Sequence, residues 1–183
     1  MQHSFDIISL IKSSGTEVNV VLSNHEVFLD RYVNKGDWKK DLHNSETYLK
    51  YALIQQEKDL REYGTIYGYL LHEYFKGEVN YINYGASLRI EGYECALHAD
   101  NGVNGARGSY KTFSKLNTKM IGGHSHTPII HNGYTGVGVT CEIDQYYTRK
   151  GLSSWAYAHS VIHPNSKNQL LVFGDDFKIS SLI

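Results

Sequence analysis

Apolar residues recur at helical spacing near the start of the chain. Phe5, Ile8 and Ile11 are in register, with Ile7 and Leu10 beside them. The spacing predicts an amphipathic helix over 4–14, closed by Ser13-Ser14-Gly15. Residues 17–22 switch to the β-branched content of a buried strand, and a helix feeding such a strand predicts parallel sheet topology. A short helix follows over 27–32, then a polar loop over 35–43. Residues 45–63 carry the clearest helical period, with Asn44 or Ser45 as cap. Leu49, Ala52, Leu53, Leu60 and Tyr63 form the apolar stripe and Gly64 the stop. A tyrosine-rich helix is predicted over 65–75. Its tyrosines have the spacing of a core or interface stripe, with stacking on bases as the lesser alternative.

Beyond residue 78 the pattern is mostly extended. Residues 79–84 predict a strand, and 87–90 with 93–97 predict a hairpin across Glu91-Gly92. Residues 110–116 predict a short helix exposing Lys111 and Lys115, and 119–122 a strand. Segments 135–141, 154–162 and 170–173 are β-rich and separated by turns. The mixture points to an α/β fold, and 183 residues suit one domain with a sizeable core.

Three apolar runs end in residues that bind metals. Val20-Val21-Leu22 runs into Ser23-Asn24-His25-Glu26, Cys95-Ala96-Leu97 into His98, and Met120-Ile121-Gly122-Gly123 into His124-Ser125-His126. Gly122 and Gly123 permit a sharp turn, and Pro128 fixes the exit. Histidines at i and i+2 on such a turn can address two adjacent ions. Alone, this triplet would pass for a polar surface loop. Three strands that each deliver Asn or His at the C-terminal end are how an α/β sheet builds a site along one edge. After His98 comes a glycine-rich stretch, 100–109, holding Asn101, Asn104 and Arg107. It can bring backbone N–H groups and a guanidinium to a phosphate; otherwise it is an ordinary loop. His131, His159 and His163 do not follow the strand-then-turn pattern and read as structural or surface residues.

The order Asn-His-Glu, lone His, Gly-His-Ser-His resembles the calcineurin-like metallophosphoesterase family, most of all its phage-encoded metal-dependent DNases. Ser23 and Leu97 stand where that family usually has Gly. The resemblance covers about residues 1–175. It implies a β-sandwich flanked by helices in αββα layers, with 135–141, 154–162 and 170–173 as its antiparallel half, as one domain over 1–183 with a helical insertion at about 44–76. It also implies two divalent ions, manganese first, with Fe, Zn or Mg as alternatives. Asn24, His98 and His124 would bind one ion and His126 the other. His25 would be the general acid, and Glu26 would orient it or cap the helix behind it. The implied reaction is hydrolysis of a phosphodiester, DNA foremost, with Arg107, Asn101 and Asn104 on the substrate. A phosphomonoesterase or protein phosphatase, and a non-catalytic interaction subunit, are the alternatives.

The family's first two metal blocks, Asp-x-His and Gly-Asp-x-x-Asp, precede its Asn-His block. Asp41-Leu42-His43, Gly36-Asp37 and Gly174-Asp175 have similar wording but fall after it. The first strands and the bridging carboxylate are therefore expected on a separate N-terminal chain, with self-association as the second option. A net charge of -1 and a pI of about 6.8 give no global footprint for nucleic acid, although a local basic groove survives such averaging. Cys95 and Cys141 form no Cys-x-x-Cys pair. No secretory leader or membrane-length run is present, so a cytoplasmic location is expected, that of the host if the gene is a phage's.

Overall fold

The computed structural model describes residues 2–144, 146, 151–174 and 179–182. Asp175 and the side chain of Asp37 lie outside the described residues. The chain forms two compact units, Met1–Tyr84 and Gly85–Ile183. Helices and several sheets make it mixed α/β. Among the described residues no helix is long and apolar enough to cross a membrane.

The first unit runs α1 (Gln2–Lys12), β1 (Asn19–Val21), α2 (Asn24–Lys35), α3 (Ser45–Glu57), α4 (Ile66–Phe75) and β2 (Asn80–Ile82). β1 and β2 pair in parallel, Val20 opposite Tyr81. As their spacing predicts, Phe5 and Ile8 of α1 are buried; they meet Leu71 and Phe75 of α4 and Val79. Leu10 and Ile11 stay exposed. α2 starts at Asn24, three residues before the predicted helix. Ser23 is its N-cap, and the Ser23 N–H and hydroxyl each donate to the Glu26 carboxylate at 2.6 Å. That capping box assigns Glu26 to the helix end.

α3 departs from expectation twice. It ends at Glu57, with Lys58 as cap, well before Tyr63, and it buries no residue, so Leu49 and Leu53 are about half exposed. Gly64, at φ +71°, turns the chain into Thr65, whose hydroxyl caps α4 by accepting from the Gly68 N–H at 3.0 Å. Asp30 of α2 accepts from the Ile66 N–H at 3.1 Å. Burial pushes its carboxyl up, only partly countered by that bond and one from Gln55. Of the α4 tyrosines, Tyr67 and Tyr74 pack on Phe5, and Tyr69 is edge-on to Tyr63, which stacks on Tyr81.

The second unit contains β3 (Arg89–Ile90), β4 (Tyr93–Glu94), α5 (Tyr110–Phe113), β5 (Lys119–Gly122), β6 (Ile129–His131), β7 (Tyr134–Gly136), β8 (Tyr157–Ile162), β9 (Asn168–Phe173) and β10 (Ile179–Leu182). Five strands form a mixed sheet in the order β3-β4-β5-β7-β6, with β4, β5 and β7 mutually parallel. The β3–β4 hairpin turns through Glu91 and Gly92, both left-handed. β8, β9 and β10 form a separate antiparallel sheet. The predicted segment 135–141 does not join that sheet as a strand. Its first part is β7, beside β5, and Val139 alone bridges to Tyr157. The core under the mixed sheet is Ala99, Phe113, Met120 and Tyr134.

Candidate functional site

β4 and β5 are parallel neighbours, so the loops that leave them emerge on one side. His98 follows β4 and His124 follows β5. The His98 carbonyl accepts the N–H groups of Gly123 at 3.3 Å and His124 at 3.0 Å, which ties the two loops backbone to backbone. The half-buried rings then meet with His124 Nδ1 3.2 Å from His98 Nε2. With metal–nitrogen bonds of about 2.0–2.1 Å, two imidazoles on one ion place their nitrogens roughly 3.0–3.4 Å apart. The observed separation falls in that window. It also suits an N–H···N hydrogen bond, with the tautomer deciding the donor.

Two backbone features hold this pair. A Cβ at Gly122 would lie 2.6 Å from the Ala99 Cβ and 3.1 Å from the Tyr134 hydroxyl, so glycine is required by close approach of the neighbouring loop. Ala99, directly after His98, is buried in the left-handed region at φ +76°. The turn after β4 therefore takes its left-handed residue at Ala99, and Leu97 needs none. Glu94, the last residue of β4, is 5 % exposed. Its carboxylate accepts from the Ser87 hydroxyl and from the Leu88 and Ala96 N–H groups, each at 3.0 Å for the latter two. Burial is the largest single influence on this carboxyl and pushes it up. The three hydrogen bonds and the Arg89 charge together outweigh it, and the group is held below the usual carboxylate range.

His126 lies in the same turn, its N–H bonded to the Gly123 carbonyl at 3.1 Å. It is left-handed at φ +59°, uncommon for a residue with a Cβ. Its ring meets Trp155 edge to face, with centroids 4.2 Å apart at 82°. Below the turn, Tyr134 is buried, with its hydroxyl on Ser125; burial first of all raises its pKa and keeps that hydroxyl protonated. Tyr134 and Trp155 escaped the sequence analysis, since neither adjoins a ligand-type residue in the chain.

Asn24 and His25 belong to the first unit, in the first turn of α2. Asn24 Oδ1 is buried with no hydrogen-bond partner. His25 is exposed, edge-on to Phe28, and lines a recess of about 160 Å³ with Ser4, Glu26, Leu29 and Tyr67. Asp41 accepts from the Asn44 backbone and amide and from the Tyr32 hydroxyl. It organises the turn before α3.

The glycine-rich stretch after His98 is a closed loop. Asn101 bridges Arg107, Gly102 N–H meets the Ala106 carbonyl at 2.6 Å, and Gly108 N–H meets the Asp100 carbonyl at 2.8 Å. Asn104 is left-handed at φ +58°. Asn101, Asn104 and Arg107 are all exposed. His131, His159 and His163 pack against Tyr110, Phe173 and Gln169, away from the His98–His124 pair.

Among the described residues, no three His, Cys, Asp or Glu side chains gather so as to hold a metal ion. In the second unit the closest approach of two such side chains described above is the His98–His124 pair. No protein-family model matches the chain, and no solved structure matches it. The chain is 31% identical over 176 residues to Protein A1 of Escherichia phage T5. That match takes in 91% of this chain, which spans only 31% of the phage protein's length.

Proposed function

We propose that the chain is part of a divalent-metal-dependent phosphoesterase of the calcineurin-like type, acting on phosphodiester bonds. The observation that carries this is the 3.2 Å approach of two imidazole nitrogens at the ends of adjacent parallel strands. Around it stand the order of the three ligand blocks, the unpartnered Asn24 Oδ1 and the similarity to a phage protein. His98 Nε2 and His124 Nδ1 would hold an ion, Asn24 would give its amide oxygen to one, and His126 would serve a second. Manganese fits a mixed imidazole, amide and carboxylate set, as do iron, zinc and, less well, magnesium. Bound at such a site, divalent ions make water nucleophilic at neutral pH and neutralise charge on the phosphate. His25, exposed at the start of α2, donates a proton to the leaving oxygen. Arg107, with the Asn101 and Asn104 amides, grips phosphate oxygens from the closed loop. The αββα sandwich over a single domain, and the cytoplasmic location, remain part of this reading.

A manganese titration with the wild-type chain, His98→Ala and His124→Ala tests it. Each variant should fold and lose bound metal. Wild-type stoichiometry in both would remove the pair from any metal site. Supercoiled DNA, an aryl phosphodiester and an aryl phosphate monoester, offered with manganese, then rank the substrate classes.

A second reading concerns completeness. β1 has β2 on one side and no described strand on the other. The donors gathered in the second unit number two imidazoles, and the phage relative is about three times the aligned length. These favour a site whose remaining Asp and His ligands come from an N-terminal polypeptide, or failing that from a second copy of this chain. On this reading the isolated chain binds metal weakly and cleaves little. Robust manganese-dependent cleavage by the pure chain would overturn it.

A further inference from the structure

We propose that Trp155 is a positioning residue for His126, fixing the imidazole in the orientation a metal ligand needs; this rests on the metal reading above. His126 has a backbone conformation that residues with a Cβ rarely adopt, and such a conformation persists only when its surroundings over-determine it. Three contacts do so here. The His126 N–H is bonded back to the Gly123 carbonyl. Thr127 Oγ1 lies 2.8 Å from the Ser154 Oγ, which ties the residue after His126 to the residue before Trp155. The indole then meets the imidazole edge to face at 4.2 Å.

Trp155 is itself carried on fixed backbone. Its N–H donates to the Ser153 hydroxyl at 3.2 Å. The next residue, Ala156, accepts from the Val139 N–H at 2.9 Å, immediately before β8. The backbone that carries the indole is therefore tied to the isolated bridge between Val139 and Tyr157. Metal-ligating histidines are oriented by a hydrogen-bonded partner at the other ring nitrogen, and loss of that partner typically costs 10–100-fold in metal affinity. An edge-to-face aromatic pair is a directional contact able to play that part.

The test uses the whole chain and two readouts. In the metal-free protein, the indole ring current should displace the His126 ring-proton NMR signals, assigned with His126→Gln; Trp155→Leu should abolish the displacement. Zinc is then titrated by calorimetry and by the same histidine signals. Trp155→Leu should weaken the event that perturbs His126 about tenfold and leave that of His98 and His124 unchanged. Trp155→Phe, which keeps an aromatic face, should restore most of it; a merely structural role would move all the histidines together. Ser154→Ala, which cuts only the tether to Thr127, should weaken the same event to a smaller degree and serves if Trp155→Leu fails to fold. Absence of the ring-current displacement in the wild type overturns the proposal. So does zinc binding at His126 that is indifferent to Trp155→Leu and Ser154→Ala, an outcome that leaves the metal reading standing. If zinc perturbs no histidine, the metal reading itself fails and the proposal falls with it.

Discussion

Gly122 is where one missing side chain decides most. The Ala99 Cβ and the Tyr134 hydroxyl occupy the space a Cβ would need, and both belong to the core beneath the paired histidines. Gly122→Ala should destabilise the second unit by about 1–3 kcal/mol, as overpacking does, measured by urea unfolding. Glu94 adds a pH dependence with a definite sign. Its folded carboxyl titrates below the ordinary value of 4.5. The stability it contributes is complete above that ordinary value and drains away as pH falls through it toward the folded one. Glu94→Gln should cost about 1–3 kcal/mol at pH 7, since an amide cannot accept from all three donors. It should also flatten the loss of stability below about pH 4.5, and an unchanged acid limb would disprove the assignment. The histidine pair was legible because polar ligand types at strand ends leave a mark in the chain. Trp155, Tyr134 and the left-handed backbone of His126 were not, because each depends on a partner distant in sequence.

Among the elements, α2 shows what a cap does for a site. Asn24 and His25 occupy its first turn because Ser23 and Glu26 close the helix in front of them. Ser23→Ala should lower the stability of the first unit by about 1 kcal/mol, and Ser23→Asp should retain most of it; thermal melts of both check this. The Ser-x-x-Glu wording of that cap is present at 23–26 and places the helix start at Asn24 for anyone weighing it above the apolar run from Val27. β6 was missed although its signal is in the chain, for Asn132-Gly133 is a two-residue hairpin turn and both residues are left-handed. The early end of α3 was not legible. Lys58 carries no stop signal, and the apolar residues that extend the pattern to Tyr63 belong to the following turn. An alternating run such as 135–141 likewise says strand without saying which neighbour it takes, so β7 could not be told from a member of the antiparallel sheet.

At the scale of the whole molecule, the two units differ in how far apart in the chain their partners lie. β8 and β9 are joined by a tight turn and pair over six positions, from Tyr157 with Phe173 to Ile162 with Asn168. β1 and β2 pair over three positions, and three helices separate Val20 from Tyr81. Closing so long a crossover for so few ladder bonds is entropically expensive, whereas a hairpin is not. Pulsed hydrogen exchange during refolding of the full chain should protect the amides of β8 and β9 before those of β1 and β2; the reverse order would contradict this. It follows that the segment presenting Asn24 and His25 is the last to acquire its final form and the first to surrender it. Gentle heating should then open the first unit reversibly, while the histidine pair at the ends of β4 and β5 stays intact.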